Sequence, residues 1–138
     1  MKRILELMDQ KNHFLEKFYS VNEKSIELFV RDQFETINEF YQERENILEI
    51  IKYIDKEIKI IFQNAQPDNE RDLAQFRKSL SVKDTFVEKI IEQDIAILSC
   101  IEAAKNQIIK ELKDVKLGKK VVSAYKNPQS KNKLEEVI

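Results

Sequence analysis

Hydrophobic residues recur along the first part of the chain with the spacing of an amphipathic helix. One row repeats every seven residues, and a second row fills positions three or four residues away. The first row is Leu7, Phe14, Val21 and Leu28, and the second is Ile4, Met8, Leu15, Phe18 and Phe29. This pattern predicts a long helix with a single apolar face.

The same spacing returns in two later segments. The second segment carries Phe40, Ile47, Ile54 and Ile61, with Ile37, Ile51 and Ile58 beside them. The third carries Val87, Asp94, Ile101, Ile108, Val115 and Val122 in one row. Long helices bury such stripes only by lying side by side. The sequence therefore predicts an all-α fold, an elongated antiparallel three-helix bundle with coiled-coil-like packing.

Polar residues between the segments predict the helix boundaries. Asp32 and Glu35 have the spacing of a capping box, so we expect helix 1 to end near Val30 and helix 2 to begin at Asp32. A continuous helix through this point is the alternative, because neither glycine nor proline stands there. Pro67 lacks a backbone donor and restricts the residue before it, so helix 2 should stop by Ala65.

Further breaks are expected in the second half of the chain. Residues 69–79 have the pattern of a short connecting helix, and Ser81-x-x-Asp84 is a start signal for helix 3. Gly118 follows a lysine-rich turn, which is typical of a helix C-terminus.

Two charged residues interrupt the apolar rows, Arg44 in the second segment and Asp94 in the third. We hypothesise that they face each other, where a polar layer would fix the register of the helices at some cost in stability. The alternative is that each side chain lies in water at the edge of its stripe.

Composition agrees with long helices in one domain. The chain has 138 residues, of which 42% are hydrophobic, but only one glycine and two prolines. These are too few for the turns of a β-sandwich, a barrel or an α/β fold. We expect one helical domain over residues 1–126 and a flexible C-terminal tail over residues 127–138.

Charge is distributed unevenly, although the net charge is only −1. Residues 32–57 hold eight acids and three bases, whereas residues 116–133 hold six lysines and no acid. A basic tail of this kind is either an interaction segment or simply solvated. Val121, Val122 and Tyr125 in this tail share one face, which either docks on a partner or folds back onto the bundle.

Residue types that support catalysis are scarce. His13 is the only histidine and Cys100 the only cysteine, which leaves no second histidine for a nucleophilic triad or a di-iron site. A single glycine excludes a glycine-rich phosphate loop. The sequence therefore predicts a protein that is not an enzyme and needs no cofactor or metal. His13 is interpreted as a surface residue beside acids rather than as a metal ligand.

Localisation follows from what the sequence lacks. It carries no signal-peptide pattern, no apolar run approaching ~18 residues and no second cysteine for a disulfide. These features predict a cytoplasmic protein without direct membrane insertion.

Four segments resemble the FlgN-type chaperones of bacterial flagellar type III export, with the related FliT type second. Residues 5–18 resemble the first helix of that family, and residues 29–32 resemble the start of its second. Residues 41–48 are similar to its charged Arg-Glu segment followed by aliphatic residues. Residues 118–125, with the sequence Gly-Lys-Lys-Val-Val-Ser-Ala-Tyr, carry the most specific likeness.

The resemblance implies a helical chaperone that binds the helical termini of late flagellar structural proteins of the hook–filament junction type. Such a chaperone keeps its cargo monomeric and delivers it to the cytoplasmic domain of the export-gate membrane protein. It implies gate docking through the C-terminal residues Leu117, Val121, Val122 and Tyr125. We expect a monomer or weak homodimer that does not bind nucleic acid.

Three long helices leave a groove that a cargo helix could fill. Candidate lining residues on helix 3 are Ile90, Ile97 and Ile108. The alternative function is a constitutive coiled-coil adaptor or structural protein that dimerises through its helices. A nucleic-acid binder has little support, because arginines and interleaved aromatic residues are missing near the C-terminal lysines.

Overall fold

Three long helices account for most of the described chain. The structure, a computed structural model, describes residues 1–64 and 69–126, with the side chains of residues 125 and 126 left out of the description. The helices are α1 (Lys2–Phe29), α2 (Ile37–Phe62) and α3 (Glu70–Lys126). No strand occurs within these residues. The predicted all-α class is confirmed.

The chain divides into two compact units. The first, Met1–Cys100, contains α1, α2 and the first part of α3, and the second begins at Ile101 with the rest of α3. The single domain over residues 1–126 stays a prediction. The flexible tail predicted over residues 127–138 lies outside the described residues.

Side-chain contacts fix the direction of α2 between its two neighbours. Lys11 on α1 pairs with Asp55 on α2 at 2.7 Å, near the start of one helix and towards the end of the other. At the opposite end, the rings of Phe29 and Phe40 meet edge to face with centroids 5.3 Å apart. The early part of α1 therefore contacts the late part of α2, and the end of α1 contacts the start of α2. The two helices are antiparallel.

The contacts between α2 and α3 follow the same rule. Arg44 pairs with Asp94 at 3.0 Å, and the ring of Phe62 stacks on that of Phe76 with centroids 5.8 Å apart. The order is therefore up, down, up, and the predicted antiparallel three-helix bundle is confirmed in the first unit. Its buried apolar side chains are Ile4, Leu5, Leu7, Met8, Leu15, Phe18, Phe29, Phe40, Ile51, Ile54 and Ile97.

A buried amide pair joins the parallel helices α1 and α3. The side chains of Asn22 and Gln93 are 0% and 5% exposed, and the Asn22 Nδ2 donates to Gln93 Oε1 at 3.0 Å. The Gln93 Nε2 donates in turn to the carbonyl of Tyr19 at 3.0 Å and to Glu23 Oε1 at 2.8 Å. A buried amide keeps its hydrogen bonds only when its partner lies at one position on the neighbouring helix. Contacts of this kind therefore fix the register of α1 against α3.

A second polar contact lies nearer the start of α1. The Asn12 Nδ2 donates to the carbonyl of Ser79 at 3.1 Å, and the Ser79 hydroxyl donates to Asp9 Oδ1 at 3.4 Å. Ser79 is 6% exposed. The seam between α1 and α3 is therefore polar at two levels, whereas apolar side chains fill the centre of the bundle.

The predicted start of α2 at Asp32 is wrong. Asp32 has a φ of 58°, and the N–H groups of Asp32 and Gln33 donate to the carbonyls of Phe29 and Leu28 at 3.1 and 3.0 Å. These two bonds with a left-handed residue form a Schellman motif, so Asp32 closes α1 and does not open α2. Residues 30–36, which include Asp32, connect the two helices, and Thr36 is the residue that precedes α2. The predicted stop of α2 by Ala65 agrees with its last residue, Phe62.

The breaks predicted within α3 are also wrong. Asn69 begins this helix, because its side chain accepts the backbone N–H of Asp72 at 2.8 Å. The helix passes through Ser81 without interruption, so no separate connecting helix exists. It also passes through Gly118, where a glycine costs only about 1 kcal/mol relative to alanine and no proline blocks the chain.

The hypothesis that Arg44 faces Asp94 is confirmed, and the alternative of two separate side chains in water is wrong. The Arg44 Nη2 donates to Asp94 Oδ1 at 3.0 Å. The guanidinium also lies 4.8 Å from the ring centroid of Phe18 and 5.0 Å from that of Phe40. Arg44 therefore connects all three helices through one side chain.

We expect Arg44→Ala to lower the free energy of unfolding by about 1–2 kcal/mol, because it removes the ion pair and both ring contacts. Asp94→Ala should cost less, about 0.5 kcal/mol, since its side chain is 44% exposed. A double-mutant cycle by urea denaturation should give a coupling energy of about 0.5–1 kcal/mol. The control is the pair of adjacent residues Lys83 and Asp84 on α3, whose side chains are 32% and 66% exposed, and its coupling should be close to zero. A coupling below about 0.3 kcal/mol for Arg44 and Asp94 would contradict a bridging role.

Asp32→Gly should raise the free energy of unfolding by about 1 kcal/mol. Glycine adopts a positive φ without strain, and the substitution removes a carboxylate from the negative end of the α1 dipole. Arg31→Gly is the matched control, because its φ is not positive and glycine there only loosens the unfolded chain. Chemical denaturation should show opposite signs for the two variants. Destabilisation by both would mean that the turn does not depend on the left-handed residue.

Candidate functional site

A groove lies between α1 and α2 in the first unit. One cavity of about 560 Å³ lies between the middle turns of the two helices. An adjoining cavity of about 280 Å³ extends it towards the end of α1 and shares Ser20, Val21 and Glu43. The two cavities are therefore parts of one groove.

Apolar side chains form the floor of this groove. Val21 and Leu28 from α1 and Ile47 from α2 line it, and each is half-buried. Phe40 is 3% exposed and closes the floor beneath the second cavity. Half-buried aliphatic residues in a concave site are apolar surface that a partner side chain can still cover.

The groove lies on the side of α2 that is turned away from α3. Asn46 lines the groove, whereas Arg44, two residues earlier, bonds to Asp94 of α3. At 3.6 residues per turn these two side chains point in directions about 200° apart. Since α3 covers one side of the α1–α2 pair, the other side remains open.

An exposed apolar row extends the groove along α2. Ile50, Tyr53 and Ile60 follow Asn46 at helical spacing, and they are 40%, 65% and 51% exposed. The row is about 21 Å long from Asn46 to Ile60 at 1.5 Å per residue. A long ligand such as a helix fits this shape better than a compact small molecule.

The two walls of the groove differ in net charge. Lys17, Lys24 and one acid, Glu16, stand exposed on the α1 wall, and Glu39 and Glu43 stand exposed on the α2 wall. The Lys17 ammonium lies 5.2 Å from the ring centroid of Phe14. A helix bound in the groove would meet positive charge on one flank and negative charge on the other.

The predicted cargo residues on α3 do not form one exposed surface. Ile97 is 3% exposed and belongs to the core of the first unit, because it lies one turn from the buried Gln93. Ile90 is half-buried, and Ile108, which is 56% exposed, belongs to the second unit. The open groove instead lies between α1 and α2, which periodicity alone did not locate.

The predicted gate-docking residues lie in the second unit. Leu117 and Val122 are each 52% exposed, and Val121 is half-buried. The side chain of Tyr125 lies outside the described residues. Leu117, Val121 and Val122 all lie on α3, because this helix continues past Gly118.

Across residues 1–64 and 69–126, no three His, Cys, Asp or Glu side chains are placed to hold a metal ion. In the same ranges, none of the helices has an apolar stretch long enough to cross a bilayer. Cys100 is a half-buried free thiol.

Comparisons with protein-family models, curated proteins and solved structures give no match to this chain.

Proposed function

We propose that this protein is a flagellar export chaperone that binds the helical termini of late flagellar structural proteins of the hook–filament junction type. The observation that carries the proposal is the open groove between α1 and α2, with its half-buried apolar floor. The resemblance supports the same function, since two of its four segments, residues 5–18 and 41–48, lie on the helices that form this groove.

In this proposal the cargo helix completes the bundle as a fourth helix. Its apolar side chains, spaced three or four residues apart, cover Val21, Leu28 and Ile47. Cargo termini of this kind expose apolar faces when unassembled, so covering them keeps the cargo monomeric. No covalent chemistry is involved. Release of the cargo requires only that the gate binds the cargo or the chaperone in competition with the cargo–chaperone contact.

The wall charges predict the pattern of the cargo helix. Acidic residues should line the flank that faces Lys17 and Lys24, and basic residues the flank that faces Glu39 and Glu43. The reverse orientation of the helix would place like charges together on both walls. Charge therefore selects one direction of binding, whereas the apolar floor supplies most of the affinity.

Groove variants should weaken cargo binding without unfolding the bundle. Val21→Asp and Ile47→Asp each place a charge on the floor, and we expect the Kd for a bound cargo helix to rise by about 30-fold or more. Val87→Asp is the matched control, because Val87 is 37% exposed on α3 and outside the groove. Fluorescence anisotropy with the terminal helices of the junction proteins from the same genome measures the Kd, and circular dichroism checks folding.

Two results would contradict this proposal. One is that the unmodified protein binds none of those cargo helices. The other is that Val87→Asp weakens binding as much as the groove variants do, which would place the cargo elsewhere on the bundle.

The proposed second partner is the cytoplasmic domain of the export gate, bound through Leu117, Val121, Val122 and Tyr125. Tyrosine offers a large apolar ring with one polar group, which suits an interface. We expect Tyr125→Ala to weaken gate binding by about 2 kcal/mol and to leave cargo affinity unchanged. Calorimetric titration and melting temperature should be measured on the same variant. A lower melting temperature with unchanged gate affinity would mean that Tyr125 stabilises the fold instead.

One observation favours the alternative of a constitutive coiled-coil adaptor. Ile108, Leu112 and Val115 are 56%, 63% and 56% exposed at helical spacing, as in one half of a coiled-coil seam. Light scattering after size exclusion separates the two functions. An adaptor is a dimer at all accessible concentrations without cargo, whereas the proposed chaperone is a monomer or weak dimer that forms a defined complex with cargo.

A further inference from the structure

The described part of the second unit presents an exposed aliphatic face. Ile108, Leu112, Val115 and Val122 are all more than half exposed, with values of 56%, 63%, 56% and 52%. They lie four, three and seven residues apart along one helix, so they form a single row. Water contacts this row over much of its length, which is unfavourable unless something binds there.

Positive charge is concentrated in the same segment. Residues 101–126 contain seven lysines and three acids, whereas residues 1–100 contain 15 bases and 20 acids. The segment is therefore a basic amphipathic helix, although the chain as a whole is nearly neutral.

Four of the six lysines in residues 101–124 lie along one flank of the aliphatic row. Lys105, Lys113, Lys116 and Lys120 are exposed and lie within about 20–100° of Leu112, all on the same side of the helix. Lys119 lies within the arc of the row, and Lys110 lies on the opposite face of the helix. Glu111 and Asp114 lie on the other flank, and Glu102, at the start of the segment, lies on the lysine flank. The row and its lysine flank together face one direction.

The residue types favour a lipid surface over a protein with shaped pockets. Residues 101–126 contain no arginine and one aromatic residue, Tyr125. Protein interfaces favour arginine and aromatic anchors that fit shaped pockets. Lysines have long aliphatic stems and strongly hydrated ammonium groups, which suit the diffuse negative charge of phospholipid headgroups above an aliphatic layer.

We propose that residues 101–124 form a membrane-surface site that binds bilayers rich in anionic phospholipids. The helix lies in the plane of the interface, with Ile108, Leu112 and Val115 at the boundary between headgroups and acyl chains. The lysine flank contacts the lipid phosphates, and the flank with Glu111 and Asp114 faces the solution. The inference does not rest on the chaperone function, because the groove between α1 and α2 contributes nothing to it.

The test is co-sedimentation of the full chain with vesicles of phosphatidylcholine alone and of phosphatidylcholine with phosphatidylglycerol. We expect binding only to the anionic vesicles, and weaker binding as salt increases. Each lysine near an anionic surface contributes about fivefold to affinity, so Lys113→Glu, Lys116→Glu and Lys120→Glu together should reduce binding by about 100-fold or more.

Two further variants test two separate points. One asks whether binding depends on these lysines or only on net charge, and the other asks whether it also needs the aliphatic row. The matched control is Lys52→Glu, Lys56→Glu and Lys59→Glu on α2, which makes the same change in net charge and should leave binding within about threefold. Replacing Ile108, Leu112 and Val115 by serine should reduce binding by about tenfold or more, because it removes the buried aliphatic surface.

Several results would overturn the proposal. Absence of binding to anionic vesicles at low salt would do so, as would equal losses from the lysine variant and its control. An unchanged affinity in the serine variant would exclude an amphipathic helix at the interface. Tighter binding to soluble poly-glutamate than to anionic vesicles would identify an acidic protein as the partner. Cargo binding by the lysine variant, measured in parallel, tests the chaperone function separately.

Discussion

The buried contact between Asn22 and Gln93 is the constraint on which the arrangement of the first unit depends. Apolar stripes slide past one another at little cost, whereas a buried amide that loses its partner costs about 1–3 kcal/mol. The Gln93 side chain bonds to Asn22, to Glu23 and to the Tyr19 carbonyl. Only one register of α1 against α3 makes all three bonds, and that register also brings Ser79 to Asp9.

Placing α3 against one side of the α1–α2 pair leaves the other side open. Arg44 holds α2 towards α3 through Asp94, while its guanidinium rests on the rings of Phe18 and Phe40. The opposite side of α2 therefore keeps a groove with Val21 and Ile47 in its floor. A fourth helix is the simplest ligand for such a groove, which is why the proposed function is capture of a helical terminus and not catalysis.

The two units differ in charge and in what they offer to partners. The first is rich in acids and encloses a core and a groove, whereas the described part of the second is a lysine-rich helical segment with an exposed aliphatic row. A chaperone that collects cargo and delivers it to a membrane needs two separate surfaces, one for each task. The division of charge along the chain is consistent with that need, and it was visible in the sequence as an acidic middle followed by a basic tail.

The sequence by itself determined that this protein forms amphipathic helices, but it did not determine which helix faces pack against each other. The 3.6-residue period specified amphipathic helices and an all-α bundle. It offered the opposition of Arg44 and Asp94 as one of two alternatives, and only packing decided that the two side chains meet. Periodicity shows which face of a helix is apolar but not which helix covers it. Only tertiary packing placed Ile97 in the core and left Val21 in an open groove. The pairing of Asn22 with Gln93 and the left-handed turn at Asp32 were likewise decided by packing, since the same residues satisfy other local patterns equally well.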